Sequence, residues 1–248
     1  MSVFEYQRFV AGLIVDEHLF QDFVQDRHGV LRRYQFDSTD REQLELLDTD
    51  ELAVFRDVVD GTRAVFFGLI FDELRGRMSD DGWDQLLANF RRQVVVKDSR
   101  DSADLRAFCT WLGEEFPGSA GVALARYQMT LQVIGSTPVV DGEPGTLRRA
   151  SRTAVFRSGF DLDELLETPP DKLWTIGQAD GIRHYVLQSS GENTVTVSEV
   201  DSSVADLLAY LRRPRSSAEV RVALAGGEDV SDELIRMLVD AGAVVETR

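Results

Sequence analysis

The stretch "NTVTVSEVDSSVADLLAYLRR", residues 193–213, changes its apolar period part-way along, and this change indicates the fold class. Polar and apolar side chains alternate from Thr194 to Val200, which is typical of a strand with one face in a core. From Asp201, a favoured helix cap, the apolar residues recur at three- and four-residue steps instead. A strand followed directly by a helix predicts a mixed domain in which helices pack on a small sheet.

The chain around this stretch continues the mixture of strands and helices. Four further runs have strand character: "TAVFRSGF", "KLWTIG", "RHYVLQ" and "AVVE". Helical periodicity covers residues 201–212, 217–224 and 231–241, each opened by a serine or aspartate cap. Residues 151–248 are therefore predicted to form a small winged-helix-like domain with an antiparallel sheet of three or four strands.

Upstream of that domain the apolar pattern is helical. Residues 4–34 and residues 52–78 carry clear three- and four-residue repeats, and the second run is predicted to be a central buried helix. Prolines and glycines concentrate in "GSTPVVDGEPGT", which predicts a linker at residues 135–150. The sequence thus predicts an α+β protein, with a helical domain at residues 1–134 and the mixed domain at residues 151–248.

Charge and apolar content limit the functional classes. The 248 residues include 43 acidic and 27 basic side chains, a formal net charge of −16. Such a surface would repel a nucleic-acid backbone over most of its area, so nucleic-acid binding is disfavoured. The first residues lack the pattern of a secretory signal, and no apolar run approaches the length of a membrane span. We expect a cytoplasmic protein that does not enter a membrane.

The segment "DEHLFQDFVQDRH", residues 16–28, raises the question of a metal site. On one continuous helix, His18, Asp22 and Asp26 would share a face, four residues apart. That face lies away from the apolar stripe, whereas metal ligands converge in a protected pocket with supporting hydrogen bonds. We interpret it as a solvated acidic surface and place His28 near a helix end, where an imidazolium is favourable.

The remaining histidine, the cysteine and the known catalytic motifs also give no indication of a catalytic or metal site. His184 lies in the predicted strand "RHYVLQ" without a second histidine or a cysteine nearby in sequence, and Cys109 is the single cysteine. The chain has no G-x-S-x-G, G-x-x-x-x-G-K-[ST], H-E-x-x-H or G-x-G-x-x-G motif. We therefore predict no catalytic residue, metal ligand or cofactor site in this chain, and expect that it is not an enzyme by itself.

The helical half contains an ordered series of runs: "VFRDVVDGTRAVFFGLIFDEL", "GWDQLLANFRRQ", "DSADLRAFCTWLGEEFP" and "GVALARYQMTLQ". The series resembles the N-terminal helical domain of the partner proteins of multinuclear non-heme iron oxidative enzymes, of the BufC, HvfC and MbnC type. The positions that carry the likeness are Phe55-Arg56, Phe116-Pro117 and Leu124-Ala125-Arg126-Tyr127. Gln128 stands where that family often has glutamate, and residues 16–50 look like an insertion.

Residues 172–246 are similar to a PqqD-like peptide-recognition element (RRE). The likeness is carried by "TVTVSEVDSSVADLLAYLRRPRSSAEVRVAL" and "LIRMLVDAGAV", in which a strand, two short helices and a longer helix follow one another. Such elements bind the leader of a ribosomally made peptide as an added strand, beside a helix of a small winged-helix fold.

The two resemblances imply a non-catalytic partner in the biosynthesis of a ribosomally synthesised, post-translationally modified peptide (RiPP). The helical half would hold the iron enzyme, so the iron belongs to the partner, and the C-terminal half would present the precursor leader. The predicted peptide-binding residues are Thr194, Val195, Thr196 and Val197 on the strand and Leu234, Ile235 and Leu238 on the last long helix. The three helix residues could instead belong to the core.

Two other functions stay open. Winged helices also bind DNA, and "YLRRPR" places Arg212, Arg213 and Arg215 close together, although DNA-binding regulators usually carry more cationic surface. The other alternative is an enzyme of an unfamiliar type. Salt-dependent DNA binding would indicate the first, and metal bound to the purified chain would indicate the second.

Overall fold

The computed structural model describes residues 3–94, 101–138, 145–175, 177, 181–191, 194–224 and 228–246. The chain divides into two compact units, residues 1–114 and residues 115–248, which we call the helical unit and the mixed unit. Helices form the first, and helices with antiparallel strands form the second. The predicted α+β class and helical N-terminal region are therefore confirmed.

The described part of the helical unit contains eight α-helices: α1 (Val3–Val15), α2 (Glu17–Gln25), α3 (Arg27–Arg32), α4 (Ser38–Glu45), α5 (Thr49–Ile70), α6 (Asp72–Gly76), α7 (Asp80–Gln93) and α8 (Asp101–Glu115). Side-chain caps begin several of them. Asp48 accepts hydrogen bonds from the first backbone N–H groups of α5, and Ser79 does the same for α7. These caps satisfy N–H groups that have no partner within the helix.

The predicted helical run at residues 4–34 is broken twice. Asp16 and Asp26 lie between helices, and each carboxylate accepts a hydrogen bond from the N–H three residues further on (3.1 Å and 2.9 Å). Each aspartate thus separates two helices and caps the second, which apolar spacing alone does not detect. The prediction that Asp26 shares a helix face with His18 and Asp22 is therefore wrong.

Two groups of buried side chains form the core of the helical unit. The first contains Phe9, Leu13, Phe20, Phe23, Val30, Leu31, Phe36, Leu44 and Leu52. The second is aromatic, with neighbouring ring centroids 5.0 to 6.3 Å apart, and contains Phe67, Phe71, Trp83, Phe90, Phe108 and Trp111. Residues 16–50 supply most of the first group, so the segment that looks like an insertion is integral to this unit.

The run at residues 52–78 differs from the single buried helix that the sequence predicts. It forms α5 and α6, with a break at Phe71. Leu52 and Phe67 on α5 are buried, but Val58 and Val65 on another face of the helix are exposed. The prediction of central burial is wrong for that face, because periodicity identifies an apolar face without identifying what covers it.

The described part of the mixed unit contains α9 (Ala120–Ser136), β1 (Thr146–Arg149), β2 (Thr153–Ser158), α10 (Leu162–Glu167), β3 (Arg183–Gly191), β4 (Thr194–Val200), α11 (Ser202–Tyr210), β5 (Arg215–Ser216), α12 (Ser217–Ala223), α13 (Glu228–Asp240) and β6 (Val244–Glu246). The strands predicted from "TAVFRSGF", "RHYVLQ", "NTVTVSEV" and "AVVE" are confirmed. The three helices predicted after Val200 are confirmed as well.

The strands form two three-stranded antiparallel sheets, in the orders β5-β1-β6 and β2-β3-β4. The sequence predicts one sheet of three or four strands. The structure has two sheets because β5 and β6 pair with β1 and not with the β2-β3-β4 sheet. The core contains Leu147, Val186, Leu207, Leu208, Leu211, Val220, Ala243 and Val244. Because Leu147 lies on β1 and Val186 on β3, both sheets contribute to this core.

The mixed unit begins before the predicted domain boundary at residue 134. α9 packs against β2 and β3, and the Tyr127 ring lies 5.6 Å from the Phe156 ring, so this helix belongs with the sheets. β1 lies inside the predicted linker at residues 135–150, of which residues 139–144 lie outside the described residues. β1 has only four residues, and two of them are arginines. Polar and apolar side chains therefore do not alternate over enough residues to predict a strand.

The run "KLWTIG", residues 172–177, is predicted to be a strand, and this prediction is wrong for its described residues. They follow a 3-10 helix at Pro170–Lys172 and form a turn. Leu173 is buried, and its carbonyl accepts a hydrogen bond from Gly121 N (2.7 Å). The apolar residues of this run therefore pack against the start of α9 instead of extending a sheet.

Candidate functional site

The β4 strand is an edge of its sheet. It pairs with β3, and within the described ranges no strand pairs with its other side. The free side of an edge strand presents backbone N–H and C=O groups on which another extended chain can form a further strand. The predicted residues Thr194, Val195, Thr196 and Val197 all lie in β4, so the structure brings this part of the predicted site together.

Hydrogen bonding between β2 and β3 shows which backbone groups of β4 face outward. Ser189 N donates to Arg152 O (2.9 Å), so odd-numbered residues of β3 bond toward β2 and even-numbered residues bond toward β4. Thr196, which pairs with an even-numbered residue, therefore bonds back to β3. By alternation, the N–H and C=O groups of Val195 and Val197 point to the open side.

The side chains of β4 leave this edge accessible. Thr194 and Thr196 are exposed on one face, whereas Val195 and Val197 are half-buried on the other. Exposed edges are commonly protected by lysine, proline or inward-pointing charge. β4 contains neither lysine nor proline, and its single charged residue, Glu199, lies near its C-terminal end. The edge therefore lacks most of the usual features that prevent strand addition.

Charged and polar contacts fix the end of this sheet. Arg183 on β3 lies 2.9 Å from an oxygen of Asp161 and 3.4 Å from an oxygen of Glu199. Glu199, and to a lesser degree Asp161, raise the pKa of the Arg183 guanidinium. The Tyr185 hydroxyl accepts a hydrogen bond from Leu162 N (3.0 Å), and burial raises the pKa of Tyr185. β4 is thus paired with a strand that is well anchored.

The predicted groove residues on α13 pack against the core. Leu234, Ile235 and Leu238 are partly buried and pack against the core of the mixed unit. The exposed residues of α13 include Arg236 and Met237. These three side chains therefore lie against the core, and their part in peptide binding stays a prediction.

The C-terminal end of α13 is tied to the β3–β4 hairpin. Gln188 Nε2 donates to the carbonyl of Ala241, the residue directly after α13, over 3.2 Å. Gln188 pairs with Thr196 in the β3–β4 register, and residues directly opposite each other point to the same face. Thr196 therefore lies on the face of the sheet that this end of α13 contacts.

A second surface, absent from the sequence prediction, lies on the helical unit. We call it the α5 stripe, and it consists of Phe55, Val58, Thr62, Val65 and Leu69. Its four apolar side chains are 52% to 71% exposed, and the steps of three and four residues are typical of helices that pack on another helix. The Thr62 hydroxyl donates to Val58 O (2.9 Å), so its hydrogen bond is made within the helix. The stripe is about 21 Å long.

Acidic side chains lie beside the α5 stripe. Asp50, Glu51 and Asp57 are exposed on this helix, whereas its two arginines are engaged, Arg56 in the core and Arg63 with a carboxylate. The spacing of the stripe is visible in the sequence. The sequence nevertheless does not predict the stripe as a surface, because α5 has two apolar faces. Sequence alone does not show which of the two faces is buried.

Most positions that carry the family likeness have structural roles. Arg56 is 6% exposed and donates to Glu17, while Ala125 and Tyr127 are buried in the mixed unit. Phe55, Pro117 and Arg126 are the exposed members of the three motifs. The likeness therefore rests largely on residues that stabilise the fold.

The residues considered for chemistry are dispersed. His28 Nδ1 lies 3.2 Å from Glu45 Oε1 at the surface, His184 pairs with Val200 in the sheet, and Cys109 is buried. Over the described ranges, no three or more His, Cys, Asp or Glu side chains are grouped to hold a metal ion. A cavity of about 10 Å³ between α5 and α7 has room for no more than a water molecule.

No family model matches the sequence, and no curated protein matches it. None of the helices in the described part of the chain has the length and apolar character needed to cross a membrane. The functional proposal therefore rests on the β4 edge and the α5 stripe.

Proposed function

We propose that this protein is a non-catalytic partner in RiPP biosynthesis. Its mixed unit would bind the precursor leader, and its helical unit would hold the iron-dependent modifying enzyme. The open side of β4 is the observation that carries this proposal. Iron and catalysis would belong to the enzyme, and this chain would position the precursor relative to it.

The leader would bind as a further strand on β4. Val195 and Val197 offer two N–H and two C=O groups to an incoming backbone, and a peptide hydrogen bond contributes about 1 kcal/mol net. Main-chain bonds accept many sequences, so specificity would come from neighbouring side chains. Thr194 and Thr196 on the exposed face and the end of α13 are the side chains and segment placed to supply it.

The order of elements after β4 supports a winged-helix-like fold for this unit. α11, β5, α12, α13 and β6 follow one another, as the helices and strands of a winged helix do. The middle strand of their sheet is β1, which comes from upstream in the chain. The proposed element is therefore a winged-helix variant whose central strand is supplied from before the β2-β3-β4 sheet.

The α5 stripe supports the proposed contact with the enzyme. An apolar helix face with anchors at steps of three and four residues can bind an apolar groove on another protein. Because Asp50, Glu51 and Asp57 accompany the stripe, a groove bordered by lysine or arginine would be electrostatically complementary. Holding leader and enzyme at once would raise the local concentration of the precursor at the metal centre.

A binding experiment with matched variants tests this function. The full chain, the iron enzyme and the precursor peptide encoded beside its gene are purified and titrated against one another. Val197→Pro removes an outward N–H of β4, whereas Val197→Ala removes a similar part of the side chain and keeps the N–H. We expect a stoichiometric complex whose leader binding is lost in the proline variant and kept in the alanine variant. Failure of the chain to bind either molecule would contradict the proposal.

DNA binding through a winged helix is the second candidate function. The observation that favours it is local, since Arg212 and Arg213 are exposed next to β5. Arg215, the third residue of the predicted basic group, is engaged by Glu219 at 3.7 Å and lies over the Tyr210 ring at 4.6 Å. Salt-dependent binding to duplex DNA, lost on replacing Arg212 and Arg213, would support this candidate.

A further inference from the structure

Four arginines lie close together along the backbone where β1 passes the end of α11. Arg148 and Arg149 are the last residues of β1, and Arg149 N donates to Leu211 O (2.8 Å). Arg212 and Arg213 directly follow that leucine and run antiparallel to β1 toward β5. We call these four residues the arginine cluster. Only Arg212 and Arg213 belong to the basic group predicted from the sequence, because Arg148 and Arg149 lie in a segment predicted to be a linker.

Among the residues that the structure describes, the arginine cluster has no acidic partner. Within the described part of the chain, none of its guanidinium groups forms an ion pair or a hydrogen bond. Nearby arginines of the same unit differ: Arg157 pairs with Asp206 at 2.6 Å and Arg221 with Asp232 at 2.8 Å. A shortage of carboxylates does not explain why the cluster differs from Arg157 and Arg221, since the chain has 43 acidic side chains.

Arg149 indicates that the cluster is unfavourable by itself. Burial lowers the pKa of its guanidinium, and the charges of Arg212 and Arg148 lower it further. Desolvation and like charge both disfavour the protonated form, which an arginine nevertheless retains at neutral pH. A bound anion would remove part of this cost at Arg149.

We propose that the arginine cluster binds an acidic segment of a peptide, one that presents two or more carboxylates. This proposal adds a ligand-binding site to the proposed function. It depends on that function in one respect, which is that the mixed unit binds a peptide. Guanidinium groups form paired hydrogen bonds with carboxylates, and adjacent arginines can engage adjacent acidic residues.

Charge on the rest of the chain favours a peptide over a nucleic acid. Specific duplex binding uses roughly 6–10 phosphate contacts spread along a basic surface. Arg157 and Arg221 are neutralised by their acidic partners, and the net charge of the chain is −16. A compact ligand with a few carboxylates therefore fits the cluster better than an extended polyanion does.

The test compares two short fluorescent peptides, one alternating glutamate with serine and the other alternating glutamine with serine. Each is titrated into the full chain at low and at physiological ionic strength. Arg212→Gln/Arg213→Gln changes two exposed arginines of the cluster, and Arg157→Gln/Arg221→Gln is the control with the same net charge. Thermal unfolding of each variant confirms that it is folded.

We expect the glutamate peptide to bind and the glutamine peptide not to bind. Binding should weaken by about tenfold or more in Arg212→Gln/Arg213→Gln, equivalent to losing about one charge-assisted hydrogen bond, and stay unchanged in the control. Equal binding of both peptides, or equal weakening in both variants, would overturn the inference. So would tighter binding of a DNA duplex that requires the same arginines. Leader binding lost in Val197→Pro is a separate result, so the proposed function and this inference can fail independently.

Discussion

Arg56 on α5 forms an ion pair with Glu17 at the start of α2, with Nη2 and Oε2 2.5 Å apart. The same guanidinium donates a hydrogen bond to the carbonyl of Leu13 near the end of α1 and lies 4.4 Å from the centroid of the Phe20 ring. One side chain therefore joins three helices and satisfies a carbonyl near a helix end. The adjacent Phe55 is exposed and belongs to the α5 stripe, so this contact fixes the helix that carries the stripe.

Replacing Arg56 should destabilise the helical unit strongly. Arg56→Met leaves a buried carbonyl unpaired and removes the partner of Glu17, so we expect a loss of about 3 kcal/mol in the free energy of unfolding. Arg33→Met is the control, because Arg33 pairs with Asp22 at the surface and its loss should cost less than about 1 kcal/mol. Urea unfolding of both variants measures the difference. Equal small losses would show that the Arg56 contacts do not stabilise the fold.

Two helical glycines should respond to alanine with opposite signs. A Cβ at Gly121 would lie 2.4 Å from the Trp174 ring, so Gly121→Ala should destabilise by about 1–3 kcal/mol. A Cβ at Gly61 meets no atom within 4 Å, so Gly61→Ala should stabilise α5 by about 0.5–1 kcal/mol. The melting temperature of each variant, measured by calorimetry, shows whether the substitution stabilises or destabilises the protein. Stabilisation by Gly121→Ala would contradict the packing of Trp174 against α9, and destabilisation by Gly61→Ala would contradict the open space at Gly61.

The sequence predicts most of the β2-β3-β4 sheet and the helices after it, because regular alternation or clear caps define them. β4 and α11 are the best examples, since the period changes at Asp201, which is the cap of α11. β1 is not predictable in this way. It is four residues long, and its place is set by pairing with β5 and β6, which come more than sixty residues later in the chain.

The two faces of α5 illustrate why part of the candidate site also escapes prediction. Leu52 and Val58 are equally apolar in sequence, and tertiary packing alone makes one buried and the other exposed. The same limit applies to Leu234 on α13, which the sequence allows on a groove and the structure places against the core. By contrast, the alternation of β4 agrees with the prediction, because its threonines are exposed on one face and its valines are half-buried on the other.

Charging the α5 stripe should separate enzyme binding from leader binding. Val58→Asp/Val65→Asp places two carboxylates on an apolar contact surface, so we expect binding of the enzyme to weaken by more than about tenfold. Leader binding and unfolding should change little, because both side chains are exposed. Val222→Asp on α12 is the control at another exposed valine. Unchanged affinity of the enzyme for the double variant would exclude the stripe as its docking surface.

Acid should weaken the cap of α11. The Ser203 hydroxyl and then the Val204 N–H donate to the Asp201 carboxylate, at 2.5 Å and 3.0 Å, and these bonds lower the pKa of Asp201. Because the folded pKa is depressed, the carboxylate stabilises the fold above its ordinary pKa of 3.8, and this contribution is lost as the pH falls through the lower folded value.

Asp201→Asn tests this dependence, since asparagine also caps helices but does not ionise. The stability difference between the natural chain and Asp201→Asn should be largest near about pH 6 and should shrink toward about pH 3. Urea unfolding across that range measures it. A difference that grows on acidification would mean that the ionised cap is not favoured in the folded state.

The open side of β4 is tested most directly by residue-specific amide hydrogen exchange, followed by NMR with and without the precursor leader. In the free chain, the outward N–H groups of Val195 and Val197 should exchange rapidly, whereas those of Thr196 and Ser198, bonded to β3, should exchange slowly. Saturating leader should slow exchange at Val195 and Val197 and leave Thr196 and Ser198 unchanged. A leader that binds while Val195 and Val197 still exchange rapidly would contradict strand addition at β4.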